Sequence, residues 1–192
     1  MVRRLLYVAR HGETDWNAAG RWQGHTDIPL NEKGHAQARA LGEALRTAGL
    51  AGVVSSDLSR AHQTARIVAE VLGLAVAYVD PDLRERTLGP FEGLTREECA
   101  QRYPVEWKAW ADERRPPEGA EHPADLAVRV RGALGRAAER VAREDAPALV
   151  VAHGGALRAV LAEALGVLPG MIENGGMWRV QWEGRIVRAE AV

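Results

Sequence analysis

Two short apolar runs in this chain, residues 5–9 and 148–152, lead into the same dipeptide, His-Gly. Arg10 separates the first run from His11, and His153 follows the second run directly. Short, continuously apolar runs predict buried strands of a parallel sheet. Because the carboxyl ends of parallel strands lie at one edge of a sheet, where open α/β sheets bind ligands, we expect both histidines in one crevice.

The rest of the chain alternates apolar runs with stretches of helical periodicity. Strands that alternate with helices predict an α/β three-layer sandwich, in which helices flank a mostly parallel sheet. The last two runs predict an antiparallel hairpin at its edge. The predicted strands are 5–9, 51–55, 74–79, 148–152, 178–182 and 185–189, and the predicted helices include 32–48, 61–72, 130–141 and 157–165.

No repeat, low-complexity run or linker divides the chain, so we expect residues 1–192 to form a single domain. Its 192 residues, 46% of them hydrophobic, are enough for one sizeable core. Residues 80–122 are less regular and contain Trp107 and Trp110 at helical spacing, followed by a proline-rich loop. We predict that this segment is a lid-like insertion over the sheet edge, with both tryptophans packed inside it.

The composition argues against several classes of partner. The net charge of −1 gives no sign of a nucleic-acid or membrane-surface partner. Cys99 is the single cysteine, which excludes an internal disulfide and suits a reducing cytosol, and we expect it to be a buried structural thiol. With no signal peptide or membrane span in the sequence, we expect a cytoplasmic protein.

Further charged groups are expected at the same sheet edge. Arg60 lies in the first turn after strand 51–55, where helix amides would add a second anion-binding element. Arg10, Arg60 and a protonated histidine could neutralise a phosphate dianion. Gly12 would let the backbone approach a bound group, and Glu85 would bring a carboxylate to the rim.

These residue types suit phosphoryl transfer to nitrogen. An imidazole can attack phosphorus at neutral pH and form a phosphohistidine that water later hydrolyses. A carboxyl near several anionic oxygens, such as Glu85, tends to hold the proton that a leaving alkoxide needs. No His-x-His or His-Glu-x-x-His spacing predicts a metal site. We therefore expect neither a metal nor another cofactor.

Five blocks of residues follow one another in a recognisable order. They are Arg10-His11-Gly12-Glu13-Thr14 with Trp16-Asn17, Gln23-Gly24 with Asp27 and Leu30, Ser55-Ser56-Asp57-Leu58 with Arg60-Ala61 and Gln63-Thr64-Ala65, Leu83-Arg84-Glu85 with Gly89 and Glu92-Gly93, and His153-Gly154-Gly155. In these blocks the chain resembles the histidine phosphatase superfamily, in its phosphoglycerate-mutase-like branch. The resemblance covers nearly the whole chain and implies the phosphoglycerate-mutase-like fold.

The resemblance also implies roles for individual residues. It makes His11 the nucleophile and Glu85 the general acid and base, with the phosphoryl group held by Arg10, Arg60 and His153. It further implies substrate-binding positions at Asn17, Gln23, Gly24 and Gly154.

Other polar residues near these blocks have simpler explanations. Arg84 and Arg86 flank Glu85 with opposed side-chain directions, so at most one should reach a substrate. We expect the remaining histidines to be solvated: His25, His35, His62 and His122.

One segment departs from the family pattern. Many relatives have Gly-Glu-Ser after the proline-rich loop, followed by a helical arginine. This chain has Glu118-Gly119-Ala120-Glu121 and then Arg129, so the serine is missing and a glutamate is shifted by one. The departure leaves the phosphoryl chemistry in place and opens the question of leaving-group specificity.

The predicted function is phosphomonoester hydrolysis of small phosphorylated metabolites, with a homodimer left open. The nearest rival function is that of a cofactor-dependent phosphoglycerate mutase; the compact 85–121 region favours a water-accessible site and hence a phosphatase. A non-catalytic phospho-ligand binding module and a metal-dependent hydrolase are two further hypotheses. Several phosphatase branches fit equally, among them broad-specificity phosphatases, α-ribazole phosphatase, phosphoserine phosphatase and glucosyl-3-phosphoglycerate phosphatase.

Overall fold

A computed structural model describes residues 3–192 of the chain, and six strands in it form one sheet. The strands are β1 (Arg4–Arg10), β2 (Gly52–Ser55), β3 (Val76–Val79), β4 (Ala148–Ala152), β5 (Met177–Trp182) and β6 (Ile186–Ala191). Their order in the sheet is β3-β2-β4-β1-β5-β6. The first four run parallel, and β5 pairs antiparallel with β1 and β6, as the sequence predicted.

Helices cover both faces of this sheet. The helices are α1 (Asp15–Ala18), α2 (Glu32–Ala44), α3 (Ser59–Leu72), α4 (Arg96–Arg102), α5 (Pro104–Glu113), α6 (Pro123–Arg140) and α7 (Gly154–Leu165). Side chains of α2 and α3 pack on one face, and those of α6 and α7 pack on the other. The three-layer α/β sandwich is thereby confirmed. Within residues 3–192, no helix is both long and apolar enough to cross a membrane.

The central strand β4 shows how the layers share one core. All five of its residues are buried. Because side chains alternate between the faces of a strand, Leu149 and Val151 pack with α2 and α3, whereas Val150 packs with α6 and α7. A strand buried on both faces has no polar alternation, which is why its sequence is continuously apolar.

The register brings the two His-Gly dipeptides to the same level. Arg10 lies opposite Ala152 in the parallel pairing of β1 and β4. The amide of His11 then donates to the Ala152 carbonyl at 3.0 Å, which extends the ladder by one bond. The loops after β1 and β4 therefore begin side by side, as expected for one shared crevice.

Strand β3 begins at Val76, two residues later than predicted. Gly73 adopts a left-handed conformation after α3, and the Leu74 amide donates to the Ala69 carbonyl at 2.8 Å. This bond belongs to the Schellman motif that ends the helix. Leu74 is therefore part of a helix cap, although its apolar side chain suggested a strand.

Apolar side chains of residues 88–110 form a small cluster with Trp22 beside the carboxyl edge of the sheet, whereas Leu83 belongs to the main core. Helix α4 begins with a capping box formed by Thr95 and Glu98. Trp110 and Cys99 are buried there and Trp107 packs against them, as expected. Burial raises the pKa of the Cys99 thiol to about 11, which suits a structural cysteine.

Candidate active site

His11 is fixed at the end of β1 with one ring nitrogen free. Its side chain is 3% exposed, and Nδ1 lies 2.6 Å from the carbonyl oxygen of Gly12. Because a carbonyl oxygen can only accept, Nδ1 carries the proton and Nε2 presents a lone pair. A nucleophilic imidazole attacks through such a lone pair.

His153 faces His11 with the opposite tautomer. The two ring centroids are 5.1 Å apart with an interplanar angle of 61°. Nε of Arg60 donates to Nδ1 of His153 at 3.2 Å, so the proton of this ring is on Nε2. That buried N–H has no hydrogen-bond partner among residues 3–192. Leaving a buried donor unpaired costs about 1–3 kcal/mol. An anionic oxygen that accepted from this N–H would remove that cost.

The surroundings of both rings favour the neutral imidazole. Burial lowers the pKa of His11 and of His153 well below the usual value, and the positive charges of Arg60 and Arg10 lower it further. A protonated histidine beside a phosphate dianion stays a prediction, because the negative charge of the dianion would raise these pKa values. His153 offers a neutral N–H donor, and the positive charge at the site comes from the two arginines.

Arg60 is fully buried at the start of α3, and its guanidinium is held on three sides. Besides its bond to His153, it donates from Nη1 to the Thr26 carbonyl at 2.9 Å and from Nη2 to the Gly24 carbonyl at 2.8 Å. Burial lowers its pKa to about 10, so the side chain stays charged at neutral pH.

The loop that holds Arg60 is fixed by Glu92, a residue of the fourth sequence block to which sequence reasoning assigned no role. The Glu92 carboxylate accepts from the His25 amide at 3.2 Å, from the Thr26 amide at 3.1 Å and from Thr26 Oγ1 at 2.7 Å. Gly24 has φ +53°, and a Cβ there would lie 2.0 Å from Glu92 Oε1. Gly24, predicted to bind substrate, is thus required for the loop whose carbonyl holds Arg60.

Arg10 is anchored by the loop after α7. Its Nη1 donates to the Ile172 carbonyl at 2.7 Å, and its buried Nε has no partner within residues 3–192. A Cβ on Gly154 would lie 3.3 Å from that Nε, so the glycine leaves room for the guanidinium. Asn174 Nδ2 donates to the His11 carbonyl at 3.1 Å. No sequence motif marked this loop as part of the site.

Asn17 and Gln23 are oriented with their amide groups as donors. Asn17 Oδ1 accepts from the Thr14 amide and from Asn174 Nδ2, each at 3.2 Å. Gln23 Oε1 accepts from Thr14 Oγ1 at 3.1 Å. Since both oxygens are engaged, each side chain has its NH₂ group left to donate. This orientation agrees with the predicted phosphate contacts, which stay predictions.

Glu85 lies against the amino terminus of α7. Its Oε2 accepts from the Gly155 amide at 2.8 Å, and Oε1 accepts from the Arg86 amide at 2.9 Å. A Cβ on Gly155 would lie 2.4 Å from Oε1. Gly155 is therefore needed for Glu85 to occupy this position, although sequence reasoning chose only its neighbour Gly154.

Two backbone features expected to serve a ligand have partners within the protein. A Cβ on Gly12 would meet the Gly34 carbonyl at 2.4 Å, and the Gly12 amide donates to Thr64 Oγ1 at 3.0 Å. The glycine is needed for packing against α2, and its approach to a bound group stays a prediction. At the start of α3, Asp27 accepts from the Ser59 amide and hydroxyl, both at 2.7 Å. The Asp27 carboxylate therefore already supplies a negative charge at the amino terminus of α3.

Arg84 forms a two-point ion pair with Asp57, with distances of 2.8 and 2.6 Å. The Arg86 guanidinium lies 4.2 Å from the ring centroid of Trp110. Arg84 is therefore occupied, in agreement with the prediction that at most one of these two arginines reaches a substrate.

The histidines expected to be solvated have contacts of their own. His25 Nε2 lies 2.7 Å from the Glu85 carbonyl oxygen, and His122 caps α6 by accepting from the Ala124 amide at 3.2 Å. His122 is nevertheless exposed, as expected, whereas His25 is half-buried by a contact between distant loops, which leaves no periodic signal. Across residues 3–192, no group of three or more His, Cys, Asp and Glu side chains is arranged to hold a metal ion.

Comparisons with known proteins identify the family. The sequence model of the histidine phosphatase superfamily (branch 1) matches residues 6–185. The chain is 40% identical over 174 residues to "Probable phosphoglycerate mutase GpmB" of Enterobacter sp. (strain 638), an alignment that covers 88% of this chain and 78% of the relative.

Two solved structures share the fold over almost their full length. Mycobacterial glucosyl-3-phosphoglycerate phosphatase, solved with VO3, has a TM-score of 0.84 and 35% identity, and the match covers 98% of this chain and 97% of that one. The α-ribazole phosphatase of Shigella flexneri has a TM-score of 0.79 and 28% identity, over 92% and 89% of the two chains. This chain belongs to the histidine phosphatase superfamily.

Proposed function

We propose that this protein is a phosphomonoester hydrolase that acts on small phosphorylated metabolites through a phosphohistidine at His11. The observation that carries the proposal is the paired tautomers at the site. The free lone pair of His11 Nε2 and the unpartnered N–H of His153 Nε2 lie on facing rings, beside the charged Arg10 and Arg60.

In the first half of the reaction, His11 Nε2 attacks phosphorus and the bond to the ester oxygen breaks. The two arginine charges balance the two charges of the dianion, and the His153 N–H donates to an oxygen of the transferring group. The Glu85 carboxyl gives its proton to the leaving alkoxide. The product alcohol departs, and the phosphoryl group stays on His11.

In the second half, water attacks the phosphohistidine. Glu85, now a carboxylate, takes a proton from that water as the oxygen bonds to phosphorus. The phosphorus–nitrogen bond breaks, its electron pair returns to His11 Nε2, and inorganic phosphate leaves. The carboxyl and the imidazole are then as they were at the start.

The same residues support a metal-independent reaction. A divalent metal would supply positive charge at the transferring oxygens, and here Arg10 and Arg60 already place two fixed charges there. Their guanidinium groups are buried and held by carbonyl oxygens, so little reorganisation is needed when charge develops. We propose that added metal is not required.

The names of the relatives divide between hydrolysis and isomerisation, so the experiment must separate the two. Purified protein would be incubated with 3-phosphoglycerate, a sugar phosphate and p-nitrophenyl phosphate in EDTA, and the products would be followed by phosphorus NMR. We expect inorganic phosphate from each substrate that is cleaved, at a rate unchanged by EDTA, and none with His11→Ala.

Conversion of 3-phosphoglycerate to 2-phosphoglycerate faster than phosphate release would overturn the hydrolase in favour of a mutase. A strict need for added metal would contradict the metal-independent mechanism. Tight phosphate binding without turnover of any substrate would favour a binding module.

A further inference from the structure

Arg129 of α6 donates hydrogen bonds to three backbone carbonyl oxygens in the segment that carries Glu85. Its Nη1 donates to the carbonyl oxygens of Asp82 and Arg84, both at 2.8 Å, and its Nη2 donates to the Glu85 carbonyl at 3.0 Å. The Arg84 and Glu85 carbonyls belong to the two peptide groups on either side of the Glu85 Cα. Because peptide groups are planar, fixing both of them fixes the direction of the Cα–Cβ bond of Glu85, and the Gly155 and Arg86 amides hold its carboxylate.

Glu121 holds Arg129 in this position. Its Oε1 accepts from Nε at 2.6 Å and its Oε2 from Nη2 at 2.7 Å, and both side chains are 19% exposed. A bidentate pair of this kind restricts the guanidinium to one plane. The Glu121 amide also donates to the Thr87 carbonyl at 3.1 Å, two residues beyond Glu85. The glutamate that is shifted relative to the family pattern is thus the one that engages Arg129.

We propose that Arg129, held by Glu121, is a positioning residue that aims the Glu85 carboxyl at the leaving group. The proposal rests on the proposed hydrolase function. Among residues 3–192, Arg129 makes no hydrogen bond to Arg10, Arg60 or the two site histidines. Its loss should therefore impair proton delivery more than phosphoryl binding.

The leaving group provides the readout. An alkoxide needs a proton as it departs, whereas p-nitrophenolate does not. The ratio kcat/KM reports the steps up to formation of the phosphohistidine and is independent of its hydrolysis. For Arg129→Gln, we expect kcat/KM for glycerol 3-phosphate to fall about tenfold to a hundredfold more than kcat/KM for p-nitrophenyl phosphate.

The same helix offers a matched control. Arg136, seven residues after Arg129, donates to the Asp80 carboxylate at 2.9 and 3.0 Å and to Asp82 at 2.7 Å. It anchors the start of the same segment without a contact to Glu85. Arg136→Gln should lower the melting temperature and leave the ratio between the two substrates unchanged. Arg129→Lys should recover part of the loss, because an ammonium can reach some of the carbonyls but lacks the planar fork.

An equal loss for both substrates in Arg129→Gln, or an equal change of ratio in Arg136→Gln, would overturn the proposal. If Arg129→Gln does not fold, Glu121→Gln keeps the arginine and should shift the ratio in the same direction by less; an unchanged ratio there would also overturn it. Wild-type protein that cleaves neither substrate would instead show that the proposed function itself is wrong.

Discussion

At the scale of single residues, chemistry at this site is decided by hydrogen-bond partners. Imidazole serves as a lone-pair donor at His11, where Nδ1–H donates to a carbonyl oxygen. It serves as an N–H donor at His153, where Nδ1 accepts from Arg60. The sequence predicted which histidines meet, because both follow strands of one sheet. It could not predict their tautomers, since Arg60 lies 93 residues from His153 along the chain.

Gly155→Ala tests how closely Glu85 depends on its surroundings. An added Cβ would lie 2.4 Å from Glu85 Oε1 and would also crowd the amide bond to Oε2, so the carboxyl must move. We expect kcat/KM for an alkyl phosphate to fall by about 10²-fold, with a smaller loss for p-nitrophenyl phosphate. Steady-state kinetics with both substrates would measure this.

Gly154→Ala is the comparison for that variant. Its Cβ would meet Arg10 at 3.3 Å, so we expect similar losses for both substrates and weaker inhibition by phosphate. A Gly155→Ala enzyme with unchanged kinetics on alkyl phosphates would show that Glu85 is not held as described.

At the scale of elements, the strands and the main helices were predictable, and the loops were not. Continuously apolar runs and the helical period place β1, β4, α3 and α7, and parallel pairing places their ends together. The contacts that shape the site join loops instead: Glu92 with residues 25–26, and Asn174 with His11. Contacts of this kind depend on the path of the chain in space and leave no periodic pattern.

Glu92→Gln tests the loop that holds Arg60. Both oxygens of Glu92 accept hydrogen bonds from N–H or O–H groups. Replacing one oxygen by NH₂ would put a donor opposite those donors and break the bonds to that oxygen. Because Arg60 binds the phosphoryl group whatever the leaving group, we expect about tenfold losses in kcat/KM that are similar for alkyl and p-nitrophenyl phosphate.

Glu98→Gln serves as the control for Glu92, since within residues 3–192 Glu98 caps α4 and pairs with Arg21 but makes no hydrogen bond to residues 24–26. It should leave the kinetics unchanged. A loss of kcat/KM confined to alkyl phosphates in Glu92→Gln would show that Glu92 acts through Glu85 and not through Arg60.

At the scale of the whole molecule, burying two neutral histidines links stability to pH. Their folded-state pKa values lie well below those of the unfolded chain, which are near 6.5. Below about pH 6.5 the unfolded chain therefore binds more protons, so the free energy of unfolding decreases as the pH falls. Each ring contributes a slope of up to about 1.4 kcal/mol per pH unit in that window, and its contribution is complete above it.

The double variant His11→Asn/His153→Asn should reduce that slope. Urea unfolding at pH 5.5, 6.5 and 7.5 would compare it with the wild type. The ion-paired carboxylates, such as Asp57 beside Arg84, have lowered pKa values and affect stability at more acidic pH. Equal pH dependence of the two proteins between pH 5.5 and 6.5 would show that the buried rings are not neutral in the folded state.

The central claim is that the phosphoryl group is transferred to His11 Nε2, and trapping it there is the most direct test. Glu85→Gln should still release p-nitrophenolate, which needs no proton, but should lack the base that activates water. Incubation with ³²P-labelled p-nitrophenyl phosphate and an alkaline quench should leave about one acid-labile phosphate per chain, mapped to the peptide of His11. Label on another residue, or a burst of p-nitrophenolate without bound phosphate, would contradict the account.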